Sequence, residues 1–113
     1  MSNLITYPLK FAFVNVAASQ TDSSLVAAVS GKRIRVVSLA VISGGTATNV
    51  TFNTKPSGSG TAISPLYANA ANGGFVLPEA SEFGWFETNV SEGLSVTTGA
   101  GATTGIQIVY VLI

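Results

Sequence analysis

Histidine and cysteine are both absent from the 113 residues. Without cysteine there are no disulfides, no thiolate metal sites and no cysteine nucleophile. Without histidine the commonest general base and the commonest metal ligand are missing. Charge is scarce as well: 9% of residues are charged, against about 25% in an ordinary soluble domain. Five basic and five acidic residues cancel to zero, so no overall field draws in a polyanion, and nucleic acid is not an expected partner. Long hydrophobic runs are lacking too. The longest apolar stretch, IRVVSLAVIS, is interrupted by Arg35 and Ser38 and falls well short of the roughly 20 residues that span a bilayer. The first residues, MSNLITYPLKF, have neither a basic start nor a continuous apolar stretch, so they do not read as a signal peptide. No membrane association is expected.

What the chain does have is apolar bulk and small polar residues. Hydrophobic residues make up 47% of it, and its mean hydropathy is +0.49. The length suits one domain with one core. A surface solubilised by Ser, Thr, Asn and Gly, with so little charge, tends to associate. The composition therefore points to a chain that works inside an assembly.

The periodicity is that of strands. β-Branched and aromatic residues alternate between clusters of Gly, Pro, Asn and Ser. Strands are expected at KFAFVNVA, LVAAVS, RIRVVSLAVIS, VTFNT, AISPLYA, FVLP, GWFET, LSVTT and IQIVYVLI. Pro65 demotes AISPLYA to an edge or a bulge. Asn72-Gly73 reads as a turn with positive φ. The expected fold is all-β: a single antiparallel β-sandwich of about eight strands. In the longest strand, uninterrupted alternation puts Ile34, Val36, Ala40 and Ile42 on one face and Val37, Leu39 and Val41 on the other. The last strand divides into Ile106, Ile108, Tyr110 and Leu112 against Val109, Val111 and Ile113. Both faces of both strands are then apolar. A sandwich has one core, so the second face needs a cover from the same chain or from a neighbour.

The charges are sorted along the sequence. Lys32, Arg33 and Arg35 form the basic cluster, and Glu79, Glu82, Glu87 and Glu92 the acidic one. They read either as solvated strand ends or as complementary patches between neighbouring subunits. On the second reading Arg33, Arg35, Glu82, Glu87, Val109 and Val111 are candidate oligomer-interface residues. Chemistry finds little foothold. The glutamates lack the supporting Asp or His of a glycosidase pair. TDSS and PEASEFGWFE show no calcium-loop spacing. The serines have no base beside them, and GSG, SGG and GAG lack the phosphate-loop lysine. No catalytic residue, metal site or cofactor is expected, and the chain does not read as an enzyme. Phe83, Trp85 and Phe86 with Tyr67 and Tyr110 read as core or interface, with a sugar-stacking platform as the alternative.

Taken in order, QTDSSLVAAVSGKRIRVVSLAV, ANGGFVLP, GWFETNVSEGLSVTT and GIQIVYVLI resemble a group of small structural proteins of tailed bacteriophages. In that group a stretch of the type S-L-V-A-A-V-x-G-K-x-I-R-V leads into the long strand, and an A-N-G-G turn, a G-W-F-x-T segment, G-x-x-L-x-V and a final V-Y strand follow. The resemblance covers the chain from Gln20 onward. It implies a jelly-roll-like sandwich on the capsid surface of a virion, made in the host cytoplasm. The implied role is that of a head decoration (cement) protein, typically a homotrimer over junctions between major capsid subunits. The major capsid protein is then the partner. The alternative is a tail, baseplate or fibre module, or a lectin-like module, that binds a host glycan. Residues 1–19 stand apart as a candidate arm plus the first strand, and residues 20–113 form the sandwich body. Tyr7, Pro8 and Phe11 are the candidate shell contacts.

Overall fold

The computed structural model describes residues 8–80 and 83–113. Ten strands follow one another: β1 (Lys10–Val16), β2 (Ser23–Val26), β3 (Ile34–Ser43), β4 (Thr48–Lys55), β5 (Thr61–Ala62), β6 (Tyr67–Asn69), β7 (Gly74–Leu77), β8 (Phe86–Glu87), β9 (Gly93–Thr98) and β10 (Thr104–Leu112). All pairings are antiparallel. The first sheet runs β1-β10-β3-β7, with β8 beside β7 on the same edge of β3. The second runs β2-β9-β4-β5, with β6 also on β4. When β5 and β6 are counted as one broken strand and β8 as an addition, the order is that of an eight-stranded jelly roll. The sandwich expected from the sequence is the observed architecture.

Local chemistry explains the departures. Pro65 splits AISPLYA into β5 and β6, because proline cannot donate to the ladder. Across the gap the Phe52 amide donates to Ser64 Oγ at 2.9 Å, and the Ile63 amide donates to the Phe52 carbonyl. LVAAVS is strand only as far as Val26, which pairs with Leu94 near the start of β9. Asn72 does take positive φ (56°), whereas Gly73 does not. GWFET contributes only the two residues of β8.

The core lies between the sheets. Val16, Ile34, Val36, Leu39, Val41, Ile106 and Ile108 meet Val50, Phe52, Leu94 and Val96. Each such side chain contributes on the order of 1.5–3 kcal/mol when fully buried. Phe52 stacks on Phe86 at 5.3 Å, and Tyr67 joins Phe52 edge-on and packs against Phe75 at 4.4 Å. Burial pushes the Tyr67 phenol above its ordinary range.

The long strand corrects the alternation expected for it. Val109 pairs with Ser38 and Tyr110 with Val36, leaving Val37 unpaired in a β-bulge. One extra residue reverses the phase beyond it. Ile34 and Val36 therefore share the core face with Leu39 and Val41, while Ala40 and Ile42 turn outward: Val41 is 0% exposed and Ile42 63%. Val37 is itself buried, and its carbonyl accepts from the Ala80 amide.

Candidate interaction surface

The two outward faces of the sandwich differ. On the second sheet Thr51 lies opposite Thr97, and Asn53 lies between Ser95 and Ala62. Asp22 sits over this polar face. Its carboxylate accepts from Asn53 Nδ2 at 3.2 Å, Ser95 Oγ at 3.1 Å and the Gly60 amide at 2.9 Å, which ties the 56–60 loop to the sheet. Beneath Asp22 and this loop Asn53 and Ser95 are buried, at 6% and 0% exposure, while Thr51 and Thr97 beside them stay half-buried.

The first sheet presents a different surface. Its register aligns Phe11, Val109 and Ser38 in one row, and Phe13, Gln107, Ala40 and Val76 in the next. A third row holds Asn15, Gly105, Ile42 and Gly74. None of these positions carries a charge. Phe13 is 81% exposed, Phe11 and Val76 each 70%. Single exposed apolar residues are ordinary, but contiguous ones mark contact surfaces. Two shallow depressions lie between the large side chains. One, of about 350 Å³, has Gly105, Ala40 and Gln107 beside Phe13 and Ile42. The other, of about 210 Å³, has Ser38 and Ala40 beside Phe11, Val76 and Pro78.

At one end of this face the opposite charges meet within one chain. Arg35 reaches Glu87 Oε1 with Nη2 at 2.8 Å and Nε at 3.0 Å. Arg33 Nη1 lies 3.5 Å from Glu87 Oε2 and also donates to the Thr88 carbonyl. The cause is the pairing of β8 with β3, which sets Arg35 across from Glu87. Partly exposed pairs of this kind contribute about 0–1 kcal/mol, so their effect is to fix position more than to stabilise. Gly84 makes the adjoining loop feasible: its φ is +68°, and a Cβ there would lie 2.7 Å from the Val36 carbonyl.

The residues singled out from the sequence divide as follows. Phe11 and Val109 are register partners on the apolar face. Val111, one pleat further along, is buried at 7% exposure. Pro8 is exposed just before β1. Tyr7 and Glu82 lie outside the described residues. Sequence reasoning missed Phe13, Ile42 and Val76. Phe13 had a signal, since Phe11 and Phe13 alternate with Ala12, Val14 and Val16 and must face away from whatever those three pack against. Ile42 had none, because its orientation depends on the bulge. Of the aromatic group, Phe86, Tyr67 and Tyr110 are half-buried against the core, while Phe83 (73%) and Trp85 (45%) are exposed. The indole of Trp85 donates to the Pro78 carbonyl at 2.7 Å. Among the described residues no three acidic side chains gather where they could hold a metal ion.

No family model matches the chain, and no curated protein matches it. Among solved structures it is similar to a chain in the cryo-EM structure of the virus-like particle of the extra small virus of the giant freshwater prawn Macrobrachium rosenbergii. That similarity has a TM-score of 0.42 and 11% identity, over 99% of this chain and 82% of that one. At that score and identity it carries no argument about function.

Proposed function

We propose that this chain is a virion structural protein, a decoration (cement) protein that stabilises a tailed-phage head by bridging major capsid subunits. One observation carries the reading most: the sandwich is two-sided, with a polar face of Ser, Thr and Asn on one sheet and an uncharged apolar face centred on Phe11 and Phe13 on the other. The resemblance of its sequence motifs, in their order, to those of small phage structural proteins supplies the rest. A sandwich of packed strands is stiff. Set across a seam between capsid subunits, it adds contacts that are lost only when the shell opens. Attachment as an oligomer, a homotrimer on this reading, multiplies weak individual contacts.

Purified particles test the reading directly. The chain is expected in fixed proportion to the major capsid protein, at a stoichiometry set by the capsid lattice. Particles lacking it are expected to lose their contents at lower temperature. Its absence from particles, or a tail-like copy number, overturns the capsid role. Removing residues 1–8 is expected to reduce binding to empty shells if Tyr7 and Pro8 touch them. The exposed Phe83 and Trp85 favour one second reading, a glycan-binding module; selective binding on a glycan array that is lost in Trp85→Ala would establish it instead.

A further inference from the structure

We propose that the free edge of β1 takes residues 3–7 of a neighbouring copy as an added strand, so that copies of the chain exchange these segments around a closed ring. The inference deepens the proposed reading: it rests on the homotrimer, names the contact that holds it, and does not need the capsid.

β1 ends the first sheet, and among the described residues its one strand partner is β10. Which of its backbone groups are left over follows from the ladder. Arg33 and Ile113 exchange both amide–carbonyl bonds between the β3 and β10 chains. The odd-numbered residues of β10 therefore aim their backbone groups at β3, and the even-numbered ones aim at β1. The extra residue of the bulge lies on β3, so this alternation runs unbroken along β10. Ser43, opposite Thr104, accordingly gives its amide to the Gly73 carbonyl on the far side. The even-numbered residues of β10 oppose Lys10, Ala12, Val14 and Val16. The amides and carbonyls of Phe11, Phe13 and Asn15 are then the ones that point out of the sheet edge. Edges are normally guarded by proline, a bulge or an inward charge. β1 has none of these within it: its register with β10 has no shift, and its single charge, Lys10, stands at its start. The core is open along the same edge, where Ala12 and Val14 pack on it and remain half-buried. An added strand satisfies the outward groups and covers these two side chains.

The residues that precede β1 suit a neighbour's edge and not their own. LITY, residues 4–7, holds Ile and Thr, which are β-branched, an aromatic residue and no charge, a composition that fits a pleated strand. Only Pro8 and Leu9 separate it from Lys10. A two-residue hairpin back onto β1 needs positive φ at its first residue in either favoured form. The proline ring fixes φ negative, and Leu9 is not among the residues with positive φ. The tight turn onto its own β1 is closed to the segment, which leaves the edge of another copy. Residues 3–7 are enough to face Phe11 through Asn15. Each copy gives one segment and receives one. Such a contact is heterologous and closes into a ring, and a ring of three is the homotrimer.

Hydrogen exchange and sedimentation of the full-length chain, from roughly 1 µM to 1 mM, test the proposal. The amides of Phe11, Phe13 and Asn15 are expected to exchange about tenfold more slowly or better where three times the 11.5 kDa chain mass predominates. Deleting residues 1–7 is expected to abolish both the protection and the trimer. Phe13→Pro removes an outward amide hydrogen and leaves the ladder with β10 intact, a placement that an edge strand tolerates. It is expected to weaken association by about tenfold or more. Phe13→Ala keeps the amide and is expected to associate like the parent. If the proline variant does not fold, the deletion and the amide protection still decide. A monomer at every concentration, or fast exchange of the three amides inside an assembly, overturns the proposal. Association that survives the deletion overturns it too, since another strand then holds the edge. A dimer with the three amides protected supports the exchange and removes the homotrimer. Particle stoichiometry is read separately, so a chain that exchanges segments yet is missing from particles removes the capsid role alone.

Discussion

Thr88 illustrates how single polar atoms hold the edges of this fold. It has no exposed surface, its Oγ1 accepts from the Ile34 amide at 2.9 Å, and its own amide donates to the Ile34 carbonyl. The β3–β8 ladder ends there, so the hydroxyl supplies an acceptor that no strand provides. Thr88→Val keeps the shape and leaves a buried N–H without a partner, which costs about 1–3 kcal/mol. The expected result is a thermal midpoint several degrees lower. Thr51→Val, at a half-buried position on the second sheet, is the control, expected within about 0.5 kcal/mol of the parent. Asp22 works similarly, gathering Asn53, Ser95 and Gly60 around one carboxylate. Side chains thus supply partners where the ladders stop.

At the scale of the element, the bulge at Val37 decides most. Without it the outward side of β3 would carry Leu39 and Val41, and the core would receive Ala40 and Ile42 in their place. The two arrangements predict opposite mutational patterns. With the bulge, Val41→Ala is expected to cost about 2–4 kcal/mol through lost burial and the cavity it leaves. Ile42→Ala is expected to cost less than about 1 kcal/mol, since its side chain is mostly in water. Denaturant unfolding of the two variants checks this, and a reversed order would mean an unbulged strand. The bulge also halves a puzzle of the sequence. Two strands that read as apolar on both faces become one, β3, with a single apolar core face and a mixed outer face, beside β10, whose outward Val111 is buried and whose Val109 lies on the apolar face beside Phe11.

For the whole molecule, chain connectivity explains what can be removed. β1 and β10 bring the two ends of the described chain side by side, with Lys10 opposite Tyr110. Pairing begins at Lys10, so the chain lacking residues 1–8 is expected to unfold cooperatively near the parent midpoint. β10 lies between β1 and β3 and supplies Ile106 and Ile108 to the core. Loss of residues 104–113 is expected to abolish the cooperative transition altogether. Calorimetry of the two truncations distinguishes these outcomes. The paired strands lie far apart in sequence, so folding requires costly loop closures and belongs on the slow, millisecond-to-second end of the scale.

Strand positions, the turn at Asn72, the break at Pro65 and the all-β class were legible in the residues. They follow from local rules: side chains alternate with period two, proline lacks an amide hydrogen, and few residues other than glycine and asparagine tolerate positive φ. Which face each residue of β3 presents was not legible, because an apolar run looks the same in either phase and only the partner strand reveals an extra residue. Nor was the meeting of Arg33 and Arg35 with Glu87, which depends on β8 returning to β3 from more than fifty residues away. The uncharged face of Phe11, Phe13, Ile42 and Val76 is likewise a product of tertiary structure. It joins residues from three strands that are distant in sequence, and only the register across the sheet makes them neighbours.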